Sequence, residues 1–131
     1  MQREMLAKYG STLVGMDATY KTTKWGHPLF LVYVADNHKK GYHVAVMITE
    51  DETEATVTSV LRTLKAWNPG WRPAHFMLDK CDAEINSVRA VFSKTHVLLC
   101  DFHRLQAWWR WINNRDNGVP PARCEGRHNA R

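Results

Sequence analysis

The sequence predicts an α/β domain with a mixed five-stranded sheet, its elements running β-β-β-α-β-α-β-α. Three observations carry this expectation. Three successive segments are rich in β-formers and joined by short polar connections. Helix-period apolar stripes then alternate with short apolar runs. The chain has 131 residues, which suits one core.

In order, residues 1–11 read as a loose lead-in or helix fragment. Thr12 to Tyr20 is the first strand, expected to be buried on both faces: Leu13 and Gly15 point one way, Val14 and Met16 the other. A polar turn from Lys21 to His27 contains Gly26 and ends at Pro28. Leu29 to Ala35 and Tyr42 to Ile48 follow, joined by a hairpin-type connection from Asp36 to Gly41, so the first three strands form an antiparallel meander. Thr49 with Glu52 fits a capping box for a helix whose core stripe is Val57, Val60, Leu61, Leu64 and Trp67. Asn68, Pro69 and Gly70 stop it. Ala74 to Leu78 is a short strand. Asp82 is expected to cap a helix with Ile85, Val88, Val91 and Phe92 inward, and Thr95 to Leu99 is the fifth strand. A last helix runs from Asp101 to about Asn114, with Leu105, Trp108, Trp109 and Ile112 as its buried stripe. Residues 116–131 are expected to be a basic tail after the break at Asn117 to Pro121.

Composition bounds the function. Hydrophobic residues make up 44% and charged residues 24%, an ordinary globular balance. The longest apolar run, Leu29 to Ala35, is too short to span a membrane, and no secretory signal opens the chain, so neither a membrane protein nor a secreted one is expected. Three cysteines at irregular spacing argue for a reducing compartment. The net charge is +5, and Arg104 to Arg131 alone carries +4 of it, interleaved with Trp108, Trp109 and Trp111. That suits a polyanion such as nucleic acid, although a merely soluble basic end would look the same.

Two acids stand out. Asp17 falls inside the apolar first strand, and Asp79 ends the fourth. A strand-end Asp capping a turn is the plain alternative for Asp17. If the fourth strand lies beside a central first strand, the two carboxylates meet, and hard oxygen ligands in that position suit Mg²⁺ or Mn²⁺.

The run from Gly15 to Thr22, then Pro28-Leu29, Asp51-Glu52-Thr53-Glu54, Leu78-Asp79-Lys80 and Leu98-Leu99-Cys100-Asp101-Phe102-His103 resembles the catalytic domain of Mutator-like element (MULE) transposases over most of the chain, from about Thr12 to Ile112. The resemblance implies an RNase H-like fold over residues 12–115 and a DDE-type mechanism: metal-dependent nicking of DNA, then attack by the freed 3′-hydroxyl on target DNA. It makes Asp17 and Asp79 the first two catalytic and metal-binding carboxylates, and Cys100 and His103 the family's Cys-x-x-His motif. The segment from Cys100 to Trp108 also resembles the transposase-derived part of SWIM zinc-finger proteins. Implied with it are DNA as partner, a homo-oligomer or larger transposase assembly, and a nuclear or other intracellular location.

One departure matters. The family's third carboxylate, a Glu, lies on a helix beyond the Cys-x-x-His motif, and only Asp116 and Glu125 lie beyond His103 here. Neither sits in good helix. The chain therefore reads as C-terminally truncated, a fragment or a domesticated copy, with weak Mg²⁺ or Mn²⁺ binding and little or no catalysis. A non-catalytic nucleic-acid- or protein-binding module is the alternative. Asp82, Asp101 and Glu125 are the acids that could complete the site.

Other constellations have plainer readings. Cys100 and His103 with Cys124 and His128 spell a zinc pattern, but the second pair falls in the tail, and zinc is not expected. Cys81 reads as a structural thiol. His27, His43 and His75 read as isolated. Arg104, Arg110, Arg115 and Trp111, which lies off the apolar stripe, are the candidate nucleic-acid contacts.

Overall fold

The computed structural model describes residues 1–19 and 23–118. Strand β1 (Leu13–Thr19) occupies the middle of a five-stranded sheet of order β3-β2-β1-β4-β5, with β2 (Leu29–Ala35), β3 (Gly41–Ile48), β4 (His75–Leu78) and β5 (His96–Leu99). β2 runs antiparallel to both β1 and β3, whereas β1, β4 and β5 are parallel. This is the expected meander followed by β-α-β units, and its strand order is that of an RNase H-like sheet. Tyr20 to Thr22, the expected end of the first strand and start of the following turn, lie outside the described residues.

Two units are described separately: Met1–Cys100, and the segment from Asp101. In the first, helices α1 (Gln2–Tyr9), α2 (Glu54–Trp67) and α3 (Asp82–Val91) contribute to one core. Sequence alternation makes this core. Val14 and Met16 of β1, Phe30, Val32 and Val34 of β2, and Phe76 and Leu78 of β4 are buried against Leu6, Val57, Leu61, Val88 and Val91. Their neighbours along each strand point to the other face, which is only half covered. There the register sets Tyr33, Gly15, Met77 and Leu98 in one row across four strands.

Several local expectations shift. α2 is capped by Thr53, whose Oγ1 accepts from Thr56 N at 3.4 Å, and not by a Thr49–Glu52 box. Thr49 is buried and donates instead to the Asp51 carbonyl at 2.7 Å. The Thr53 hydroxyl also donates to Asp51 Oδ1 at 2.8 Å, which fixes the entry to the helix. Trp67, expected inside, is 63% exposed at the end of the stripe. Asp82 is the first residue of α3 rather than its cap; Cys81 holds that position without a side-chain bond. Ile85 is only half-buried, and Glu84 and Ser87 take buried places on the helix. Ser87 is there because it is satisfied, donating to Ala83 O at 2.6 Å and receiving the Thr58 hydroxyl at 3.0 Å.

The second unit contains α4 (Asp101–Asn113) and a 3-10 turn (Arg115–Asn117). The expected stripe of Leu105, Trp108, Trp109 and Ile112 is present in the helix but not buried: among the described residues α4 has no buried side chain, and these four are 48–67% exposed. Helical periodicity marks a face fit for packing. It does not supply the layer that covers it.

Candidate active site

The parallel register of β1 and β4 pairs Leu13 with His75, Val14 with Phe76 and Gly15 with Met77. The ladder ends there; Asp17 lies two residues further along β1 and Asp79 directly follows the last residue of β4, so both acids fall toward the carboxyl ends of neighbouring strands. In open α/β sheets that end is where ligands collect. Asp17 is half-buried and Asp79 exposed. Asp79 Oδ1 accepts the backbone N–H of Lys80 at 2.7 Å, so the turn into α3 orients it. Cys100 follows β5 at the same end, its N–H donating to the Leu78 carbonyl at 2.7 Å.

Tyr33 lies across Gly15, its partner in the β1–β2 register. Burial, then the charges of Cys100 and Asp17, push its phenol above the ordinary value. The phenol therefore stands as a neutral O–H near Asp17. Sequence reasoning missed Tyr33, because nothing local distinguishes it from a strand aromatic.

It also missed Glu84. This residue sits in the first turn of α3, is 4% exposed, and its Oε2 has no hydrogen-bond partner among the described residues. Burial, then the charges of Asp79, Asp17 and Glu52, raise its carboxyl from 4.5 to about 7. A first-turn acid ordinarily gains about 0.3–1 kcal/mol from the helix dipole. Here desolvation and three like charges outweigh that gain. The sequence did hold a signal: Glu84, Val88 and Val91 share one helical face, so an acid stands where an apolar residue is expected.

The other candidates fall as follows. Asp82 is exposed, and Asp101 pairs with Arg104 at 2.7 Å on the surface of α4. Asp116 is exposed in the 3-10 turn. Glu125, Cys124 and His128 lie outside the described residues, as does the tail after Gly118. Cys81 and Cys100 are free thiols, and His103 is in the first turn of α4. Among the described residues, no three His, Cys, Asp or Glu side chains already stand as a metal-ligand set. His43 and His75 are not isolated as expected: His75 stacks against His96 at 5.7 Å between ring centroids, and His43 meets the Tyr33 ring edge at 6.4 Å. The strand registers that bring them together cannot be read from local sequence.

On α4, Arg104, Arg110, Trp111 and Arg115 are exposed. Arg104 stands 5.9 Å from the Trp108 ring, and Trp108, Trp111 and Ile112 line one shallow hollow. The distinction between a packing Trp108 and a free Trp111 therefore disappears; both rings are open on the surface. Among the described residues, no helix is long and apolar enough to cross a membrane.

Comparison with known proteins adds the family. No curated protein matches the chain. Among solved structures, it is similar to the catalytic core domain of BIV integrase at 14% identity, covering 81% of this chain and 69% of that one with a TM-score of 0.48. It is similar to a chain of the simian T-cell lymphotropic virus intasome in complex with PP2A regulatory subunit B56 gamma at 13% identity, 86% and 45% coverage and a TM-score of 0.49. For the HTLV-2 integrase catalytic core domain the values are 14%, 82%, 72% and 0.44. Likeness at this level says nothing about chemistry. The MULE transposase domain model matches residues 13–107, from the start of the central strand into the last helix, and the chain belongs to that family.

Proposed function

We propose that this chain is a DNA-processing domain of the transposase type, acting on DNA through a divalent cation held by Asp17 and Asp79. The observation that carries this is the β1–β4 register, which supports the two carboxylates sharing one end of the sheet. Their oxygens are the hard donors that Mg²⁺ or Mn²⁺ prefers. Such an ion, when bound, polarises a phosphodiester and activates the attacking oxygen. The chain's own parts would position the DNA: Arg104, Arg110 and Arg115 by charge, Trp111 by stacking. Cys100 and His103 belong to this reading as the family's Cys-x-x-His motif, and residues 12–115 as the domain, with 1–11 as lead-in and 116–131 as basic tail. DDE chemistry, an assembled oligomer and a nuclear setting are part of the same proposal, as is origin from a domesticated element.

The test is incubation of the purified chain with supercoiled DNA and Mn²⁺. Wild type is expected to nick weakly at most, and Asp17→Asn and Asp79→Asn to retain salt-sensitive DNA binding without any nicking. Binding with no nicking by wild type would overturn the enzyme reading in favour of a non-catalytic DNA-binding module.

A further inference from the structure

We infer that α4 is a dimerisation helix, which pairs antiparallel with α4 of a second copy of this chain. The inference deepens the oligomer in the reading above and rests on nothing in its cation site.

A seam runs along the helix. Asp101, Leu105, Trp108 and Ile112 follow one another at spacings of four, three and four, which sets them in one line. Phe102 and Trp109 flank that line on one side, Arg104 and Trp111 on the other. The six large apolar side chains of α4 are all open on the surface. A continuous apolar patch on one short helix marks an interaction surface, which singly scattered exposed residues do not.

Shape and charge choose the occupant. Trp108, Trp111 and Ile112 line a hollow of about 430 Å³. Residues at i, i+3 and i+4 are sides of the hole that receives a knob from a facing helix. Antiparallel pairing centred beside Trp108 sets Leu105 of each copy against Ile112 of the other, over that hollow, so one symmetric contact fills two holes. Leu105 and Ile112 are aliphatic and offer no ring on which a nucleobase could stack. Asp101 stands in line with the seam, where it repels a phosphate backbone or an anionic lipid surface and suits a cationic side chain. The other end of the helix carries Arg110 in the last turn and Arg115 just beyond it, with Asp116 beside them. Antiparallel pairing lays Asp101, already paired with Arg104 at 2.7 Å, beside Arg115 of the second copy. Parallel pairing would lay the two arginine ends together. Arg110 lies on the far side of the helix from the seam, so pairing leaves it to nucleic acid.

A 13-residue helix is about 20 Å long, and two of them bury less than a standard interface, so a dissociation constant on the order of 10 µM is expected. Sedimentation equilibrium of the full chain, without DNA or divalent metal, tests this. Wild type is expected to be dimeric at about 100 µM and monomeric at about 1 µM. Leu105→Glu is expected to weaken the dimer at least about thirtyfold. It should melt with wild type at the lower concentration, since Leu105 is exposed in the monomer. Asp101→Arg is expected to weaken the dimer about threefold to tenfold, and Asp101→Arg with Arg115→Asp to regain most of that loss. Monomeric wild type at the higher concentration would overturn the inference, as would a Leu105→Glu variant that dimerises like wild type. Monomeric wild type with a lower melt in Leu105→Glu would assign the stripe to packing within its own chain, and overturns it too. A double variant no tighter than Asp101→Arg would overturn the antiparallel pairing and with it the inference. Should Leu105→Glu fail to fold, Ile112→Glu is read by the same criterion. Every result leaves the DNA reading to the nicking assay, because neither DNA nor cation enters this measurement.

Discussion

The ring of Tyr33 occupies the space that a side chain at Gly15 would fill. A Cβ built on Gly15 would fall against Cζ, Cε2 and the hydroxyl of that ring, two strands meeting through one missing methyl group. The glycine is required for this close approach and not for an unusual backbone angle. It lets the phenol ring lie over the central strand, two residues before Asp17.

Gly15→Ala is therefore expected to destabilise the fold by about 1–3 kcal/mol, because the ring must leave its place. Adding Tyr33→Ala should recover part of that loss, since the two changes share one contact. Urea denaturation of both single variants and the double variant measures the coupling; strictly additive costs would show that the ring does not depend on this glycine.

Glu84 sets a pH dependence whose direction is fixed. Its folded value, about 7, lies above the reference 4.5 for an unfolded chain, raised by burial and by the facing Asp79, Asp17 and Glu52. The folded state holds the proton more tightly, so this group does not penalise folding below pH 4.5. Stability then falls as pH rises through 7, by up to about 3 kcal/mol. In EDTA, the melting temperature of wild type should drop relative to Glu84→Gln between pH 5 and 8, values chosen to bracket about 7. Parallel curves for the two proteins would refute the assignment.

At the start of α2, the capping energy belongs to Thr53. Thr53→Ala should cost about 1 kcal/mol, since Thr56 N loses its acceptor and Asp51 loses the hydroxyl that donates to it. Thr53→Ser, which keeps the hydroxyl, should cost much less than Thr53→Ala. Chemical denaturation of the two variants measures the difference.

The sequence by itself determined the elements whose signals are local. Alternating apolar residues define the strands of the meander, and the Val57, Leu61, Leu64 spacing defines α2, because period 2 and period 3.6 are properties of neighbouring residues. The ordered motifs around Asp17, Asp79 and Cys100 likewise sufficed to identify the family. Tertiary structure decided what depends on distant partners. The hydroxyl that caps α2 was chosen by backbone geometry among Thr49 and Thr53, two residues of the same type. Leu105, Trp108, Trp109 and Ile112 carry a perfectly periodic stripe, yet exposure depends on a covering layer that periodicity cannot specify. Most plainly, Glu84 looks in sequence like an ordinary first-turn acid. It becomes a buried carboxylate facing Asp79 and Asp17 only when α3 is laid against the parallel strands, since burial and long-range charge are set by the packing of segments and not by their composition.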